Sequence, residues 1–240
     1  MFSASVFPKV GISAAAVSIL FCLFFGNFYF DDLQTIPYIS YVSGRYPFLP
    51  IFSGGLTVTG TCIAIMTNLY ASIVGSRNPK LFPYVGVVLA FISTMSIIGG
   101  FSLAALSLVS VYDSVILHTV FAQVFFWTNL LASLAVTIVS FKEHKILVYR
   151  DDSTRKRAVF WLRYRFVVIL SLPIVTIPYL LLPAFVDTEK NPWVDSLSAL
   201  LQYISVTLVI MFFLSMSFDL SLYELNMKQK EDSGVRSQVC

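Results

Sequence analysis

The sequence predicts an all-α fold, a bundle of six transmembrane helices in a polytopic membrane protein, and two observations carry this prediction. The 240 residues are 57% hydrophobic and only 12% charged, whereas soluble domains contain about 25% charged residues. The apolar residues also fall into long runs, and an α-helix needs roughly 20 such residues to cross a hydrocarbon core of about 30 Å. A soluble globule of this length cannot hide so much apolar surface, so we expect lipid to surround most of the chain.

The apolar runs define the order of the helices and the extent of the membrane domain. We predict spans at residues 7–30, 51–74, 83–111, 115–141, 166–186 and 197–218. They form one domain over residues 1–227, and the polar tail at 228–240 is predicted to be disordered. The first run is longer than the apolar core of a secretory signal peptide and lacks a small-residue cleavage pattern, so we expect it to remain as the first span.

The fifth span contains three prolines at intervals of five residues, Pro173, Pro178 and Pro183. Each proline removes one backbone hydrogen bond from the helix. We therefore expect this helix to bend, with neighbouring helices or water satisfying the freed carbonyl groups.

The positive charges predict the orientation of the bundle. The segment 142–165 contains eight of the 16 Lys and Arg residues, and six spans place all the others except Arg45 and Lys190 on the same side. Because Lys and Arg near span ends stay in the cytosol, we expect a cytosolic basic loop and cytosolic termini. The densest cations of this loop either contact anionic lipid head groups, at about 1 kcal/mol each, or serve as a topology signal alone. These cations are Arg155, Lys156, Arg157, Arg163 and Arg165.

The fourth span carries polar side chains on one face. His118, Ala122, Phe125, Asn129 and Ala132 follow one another at spacings of 4, 3, 4 and 3 residues, which is the period of a single helical face. A face with two polar and two small side chains should point at other helices. For His118, both a structural hydrogen bond and a ligand-facing or pH-sensing role remain open.

The sequence offers little for catalysis, and we expect no enzyme, cofactor or metal. It has two histidines, His118 and His144, and contains neither a zinc-protease motif nor a nucleophile elbow. Two of the three cysteines lie inside apolar runs, so no disulfide framework is indicated. No ionisable residue is expected at the centre of a span, which argues against an ion path. A small lipid transporter or an acyltransferase using a single histidine remains an alternative.

The loop between the first two spans contains the most distinctive sequence of the chain. Its prolines and Gly44 predict turns rather than helix. Part of this loop resembles the signature of a six-span superfamily. The resemblance is carried by Pro37, Tyr38, Ile39 and Ser40, followed by Gly44, Pro47 and the pair at 51–52. This superfamily includes the damage-regulated autophagy modulators, their fasting-inducible relatives and the factors that remodel the lipid of GPI anchors. The resemblance extends over residues 7–219, although Tyr41 and Gln202 are neutral where the modulators usually carry an acid.

The resemblance implies a function and a set of residues. It implies a non-enzymatic membrane regulator of the autophagy-modulator type, in lysosomes or other endomembranes, acting in autophagy and lipid homeostasis. The alternative is a Golgi or ER factor for GPI-anchor lipid remodelling and surface delivery of GPI-anchored proteins. Expected partners are membrane lipids, including anionic phospholipids, or other membrane proteins, and not nucleic acid. The signature residues that we expect to be structural or ligand-facing are Pro37, Tyr38, Ser40, Gly44, Pro47, His118, Asn129, Gln202 and Asp219.

Overall fold

The computed structural model describes residues 4–29, 37–77, 84–146, 152–185 and 192–232. Within these ranges the chain forms seven α-helices and no strand. The helices are α1 (Val6–Tyr29), α2 (Ile39–Ser43), α3 (Leu49–Arg77), α4 (Val85–Leu108), α5 (Val115–Ile146), α6 (Asp152–Phe185) and α7 (Pro192–Asp232). All except α2 are long and apolar enough to cross a membrane. The predicted all-α fold with six membrane-crossing helices is confirmed.

The basic segment is helical rather than a loop. α5 continues to Ile146 and α6 begins at Asp152, so only five residues between them, 147–151, lie outside the described helices. Asp152 lies in the first turn of α6, where a carboxylate favours the helix dipole, and it pairs with Lys156 one turn later at 2.7 Å. Helix-forming charged residues therefore extend the helix beyond the apolar run, which hydropathy alone misses.

The last helix also differs in extent from the prediction. α7 continues to Asp232, five residues into the segment predicted to be disordered, because residues 219–232 contain no Gly or Pro that would end a helix. Residues 233–240 lie outside the described part of the chain. α6 runs through all three of its prolines as one helix, and its bend stays a prediction.

The six long helices form a closed ring in which each packs against two neighbours. Going round the ring, the order is α1, α3, α4, α5, α6 and α7, and α7 returns to α1. Consecutive spans are therefore neighbours, as short connections favour. The apolar core lies inside the ring and includes fully buried Met66, Ile92, Val136 and Met216.

Glycine allows the closest packing in the ring, between α3 and α4. A Cβ atom on Gly60 would collide with the carbonyl oxygen of Gly100, and a Cβ on Gly100 would collide with that of Gly60. Inside a membrane, small residues let two helix backbones approach and gain van der Waals contact without a hydrophobic driving force. The crossing of α3 and α4 depends on these two residues.

The loop that carries the signature is partly helical, contrary to the prediction of turns alone. Residues 39–43 form the single short helix α2, preceded by Tyr38 in an extended conformation. Pro37 lies before the helix, where its missing N–H group removes no helical hydrogen bond. Residues 30–36, the first part of the predicted loop, lie outside the described residues.

Candidate functional site

The ring of helices encloses a central cavity. Its volume is about 90 Å³, and every helix of the fold contributes to its wall. A single water needs only about 10–15 Å³ of such space. Most of the wall is aliphatic or aromatic, with side chains such as Leu56, Met66, Phe125, Val209 and Phe213. A space of this size and chemistry is suited to an apolar chain rather than to water.

The polar groups in the wall are confined to one end of the cavity, apart from Thr59. The Thr59 hydroxyl is already within 3.0 Å of the carbonyl oxygens of Gly11 and Gly55. The remaining polar side chains belong to Ser40, His118, Tyr179 and Gln202. The cavity therefore has an apolar body and one polar end.

At that end the cavity meets a more open space, which we call the polar mouth. The polar mouth has a volume of about 350 Å³ and shares Ser40, His118, Ala122, Tyr179 and Gln202 with the cavity. Its other polar lining residues are Tyr38, Tyr41, Thr119, Gln123 and Asp195. Cavity and mouth together form an amphipathic space in the bundle.

Gln202 fixes the signature residues to α7. The backbone N–H of Ile39 donates to Gln202 Oε1 at 3.0 Å, and Gln202 Nε2 donates to the Tyr179 hydroxyl at 3.1 Å. The neighbouring Tyr203 hydroxyl donates to the carbonyl oxygen of Pro37 at 2.8 Å. One amide side chain thus joins α2, α6 and α7 at the polar end of the cavity.

The other end of the signature is held by the connection between α4 and α5. The Ser110 hydroxyl donates to the carbonyl oxygen of Gly44 at 3.0 Å, and the Tyr112 hydroxyl donates to that of Tyr41 at 3.1 Å. A Cβ atom on Gly44 would lie 2.6 Å from the carbonyl oxygen of Ser40, so this position requires glycine. The signature therefore covers the polar mouth as an anchored lid.

The Tyr38 side chain lies on the mouth side of this lid. Its hydroxyl donates to Asp195 Oδ1 in a long hydrogen bond of 3.4 Å. Burial raises the pKa of the Tyr38 phenol above its ordinary value, and the Asp195 carboxylate adds to this rise. Tyr38 therefore stays neutral and is a hydrogen-bond donor at physiological pH.

His118 makes a structural hydrogen bond and also faces the site. Its Nδ1 lies 2.7 Å from the carbonyl oxygen of Val109, which can only accept, so Nδ1 carries the proton. The ring lines both the cavity and the polar mouth. A structural hydrogen bond and a ligand-facing position, the two roles that the sequence left open for His118, are therefore compatible.

The predicted polar face of α5 is buried as a whole. His118, Ala122, Phe125, Asn129 and Ala132 are each less than 10% exposed. Asn129 is not among the residues that line the cavity, and its amide donates to the carbonyl oxygen of Phe125 in its own helix. It packs against Gly99 of α4, so it has a helix-packing position.

Comparison with known protein families now identifies the chain. A family model described as the Frag1/DRAM/Sfk1/Cwh43P N-terminal domain matches residues 3–223. The chain belongs to this family. The match covers the signature, the cavity and the ring of helices except the last turns of α7, and it confirms the resemblance drawn from the signature residues. None of the curated proteins and none of the solved structures compared with the chain matches it.

At the opposite end of the family domain lies a buried ion pair. Arg165 of α6 is 1% exposed and lies 2.8 Å from Asp219 Oδ2 of α7. Its guanidinium also donates to the Ser140 hydroxyl at 2.6 Å, to the Ser215 hydroxyl at 2.9 Å and to the Ser215 carbonyl oxygen at 3.0 Å. We call these four residues the arginine clasp. It joins α5, α6 and α7.

The arginine clasp corrects one expectation. Arg165 was grouped with the cations that contact lipid head groups, but it faces the interior of the bundle and is not available to them. The sequence does contain the signal, since Arg165 shares one helical face with the buried Ala158, Leu162, Ile169 and Leu172.

A second buried acid next to the clasp was not singled out from the sequence. Glu143 of α5 is 3% exposed and accepts a hydrogen bond from the Tyr223 hydroxyl. Tyr70 of α3 is fully buried, and its hydroxyl lies 2.8 Å from that of Ser140. The polar network therefore extends from the clasp to α3.

The other four predicted lipid-contacting cations remain accessible. Arg155, Lys156, Arg157 and Arg163 are exposed on α6. Three of them line an open groove beside Phe160. Their contact with anionic lipid stays a prediction. Among the described residues, no group of three His, Cys, Asp or Glu side chains is placed to hold a metal ion.

Proposed function

We propose that this member of the family is a non-enzymatic membrane regulator of the autophagy-modulator type, which works by holding the chain of a membrane lipid in its central cavity. The observation that carries the proposal is the meeting of an apolar cavity with a polar mouth beneath the signature lid. The regulator acts in lysosomal or other endomembranes, and its effect is on autophagy and lipid homeostasis.

The cavity and the polar mouth contribute differently to the free energy of lipid binding. Moving an alkyl chain from water into an apolar site gains about 0.8 kcal/mol per CH₂ group. A chain that enters from the bilayer gains almost none of this, because it leaves an environment that is already apolar. Selection among lipids therefore falls to the polar mouth, where head groups differ in charge and hydrogen bonding.

The lid supplies a route from lipid binding to regulation. A head group in the polar mouth competes for the long hydrogen bond between Tyr38 and Asp195, and it lies beside the amide of Gln202. Because these contacts hold α2 on α7, occupancy changes how firmly the lid is anchored. A partner protein that contacts the lid then responds to whether a lipid is bound.

The second candidate is a factor for GPI-anchor lipid remodelling. The polar mouth lies at the end of the bundle that the charge asymmetry predicts to be non-cytosolic, and the lipid of a GPI anchor is in that leaflet. In cells that lack the protein, unchanged autophagic flux would remove the first candidate. A normal surface level and anchor composition of a GPI-anchored reporter would remove the second.

A cavity-filling variant tests lipid binding itself. Ala122 lies where cavity and mouth meet, and Ala122→Phe places a ring in that space. The matched control is Ala90→Phe, the same substitution at an exposed site on α4. The probe is a monoacylglycerol with a photoreactive group on its acyl chain, added to the full-length chain in nanodiscs.

We expect the wild-type chain and Ala90→Phe to be labelled on peptides that line the cavity, and Ala122→Phe to lose about nine tenths of this labelling, which is a factor of ten in occupancy. In cells, Ala122→Phe should fail to rescue the loss of the gene at normal abundance. Labelling restricted to the outer, lipid-facing surfaces in all three proteins would refute the proposal.

A further inference from the structure

The chemistry of the polar mouth deepens the proposed function by naming a class of ligand. We infer that the polar mouth selects an amphiphile whose head carries an ammonium group, with its single chain in the central cavity. This inference rests on the proposed function, since it needs a lipid in the cavity. The same head-group chemistry occurs in a long-chain amine and in a phosphocholine or phosphoethanolamine lipid.

The charge of the mouth is the first observation. Asp195 supplies a carboxylate, and none of the described side chains that line the mouth is cationic. Asp195 lies in the first turn of α7, where the helix terminus contributes roughly half a positive charge. The carboxylate contributes a full negative charge, so the site stays negative. An anionic head group is disfavoured there, and a cation is favoured.

The one described cation near the rim is held away from the mouth. Arg45 Nε donates to the Tyr112 hydroxyl at 2.7 Å, and the guanidinium lies 5.0 Å from the centre of that ring. Arg45 is not among the residues that line the mouth. The sequence adds to the same picture, because this side of the bundle is expected to contain six acids and only two cations. The acids are Asp31, Asp32, Asp113, Asp187, Glu189 and Asp195.

The aromatic rings are the second observation. Tyr38, Tyr41 and Tyr179 all line the mouth together with Asp195. Tyr38 and Tyr41 meet edge to face, with ring centres 5.3 Å apart, and the Tyr41 ring also lies 6.2 Å from that of Tyr112. Tyrosine faces combined with a carboxylate are the groups that recognise quaternary and primary ammonium ions.

A buried serine hydroxyl adjoins the Tyr38 phenol. Ser198 lies one turn along α7 between Asp195 and Gln202, and it is fully buried. Ser198 is not among the residues that line the mouth, so its place in the site is beside the Tyr38 side chain.

The experiment compares four photoreactive probes of equal chain length on the full-length chain in nanodiscs. The head groups are those of sphingosine, lysophosphatidylcholine, lysophosphatidylglycerol and monoacylglycerol, and the readout is labelling of cavity-lining peptides. We expect at least one ammonium probe to label about fivefold more than both the neutral and the anionic probe. Preference for sphingosine alone assigns a long-chain amine, and equal labelling by lysophosphatidylcholine assigns the phosphocholine class.

Two variants locate the preference in the mouth. Asp195→Asn should lower the ratio of ammonium to neutral labelling to about one, whereas Asp113→Asn, an exposed acid in the turn between α4 and α5, should leave the ratio unchanged. If Asp195→Asn is not recovered folded, Tyr41→Leu serves in its place. Its side chain is 40% exposed, and its loss should lower the ratio about twofold or more.

The outcomes separate the two proposals. Equal labelling of the cavity by neutral and ammonium probes, or a preference for the anionic probe, overturns the ammonium inference and leaves the lipid cavity standing. A preference that Asp195→Asn and Tyr41→Leu both leave unchanged also overturns it. If no probe labels the cavity above the level of Ala122→Phe, the proposed function itself fails.

Discussion

The arginine clasp makes a quantitative prediction about stability. Asp219→Leu removes the carboxylate that lies 2.8 Å from the buried guanidinium of Arg165. Breaking a buried ion pair on one side costs about 3–5 kcal/mol, because the remaining charge is left uncompensated. The lower end applies here, since Asp219 is 21% exposed and the two serines of the clasp still accept hydrogen bonds from Arg165. A loss of about 3 kcal/mol lowers the melting temperature by about 6–12 °C in a chain of this size.

The assay is thermal unfolding of the purified chain in one detergent, followed by intrinsic fluorescence, with two comparisons. In Asp219→Leu combined with Arg165→Met, the unpaired charge is gone, so most of the lost stability should return. In Lys156→Met, only a pair with both side chains at least 70% exposed is broken, and the change should stay within about 1 kcal/mol. If the double variant is no more stable than Asp219→Leu, or if Asp219→Leu unfolds within about 2 °C of wild type, the argument about a desolvated charge is wrong.

Three further predictions concern the lid and the mouth. Gln202→Leu leaves the buried N–H of Ile39 without its acceptor, at a cost of about 1–3 kcal/mol. Hydrogen exchange over residues 37–48 should therefore become faster. Gln202→Glu keeps the acceptor and should change the exchange rate little. Gly44→Ala forces a Cβ against a carbonyl oxygen and should increase proteolysis of the lid, while Gly86→Ala, with nothing within 4 Å, should not. His118→Gln can keep a hydrogen bond to the Val109 carbonyl, so we expect this variant, at normal abundance, to restore full function in cells that lack the protein. Failure to restore function would favour acid and base chemistry at this position.

The sequence predicted the parts of the fold that depend on local composition. Span number follows from runs of apolar residues, because a bilayer accepts only a helix with its backbone groups satisfied. The buried face of α5 follows from the spacing of His118, Ala122 and Asn129, which is a property of one helix. The importance of the signature residues was visible because prolines and a glycine impose unusual backbone geometry.

The cavity, the ion pair and the other features formed between helices depend on which helices become neighbours. One sequence without an alignment does not contain that information. The cavity is a space left between seven helices, so no run or motif in any one of them predicts it. The pairing of Arg165 with Asp219 joins two helices whose relative rotation is set by packing. The helical nature of the basic segment was missed because a hydropathy reading treats a charged stretch as a connection between spans.

The length of α6 determines which of its cations can meet a head group. Taking Arg165 as the inner edge of the hydrocarbon, the helix reaches Phe185 after about 30 Å, which is one membrane thickness. Trp161 and its aromatic neighbours then fall in the interfacial layer, and the Arg163 side chain leaves the helix at the same depth. Arg155 starts about 15 Å from that edge, beyond a head-group layer of about 5–8 Å. With the membrane edge at Arg165, the first turns of α6 would project into the aqueous phase as a positively charged extension of the helix, within reach of soluble proteins as well as of the membrane surface.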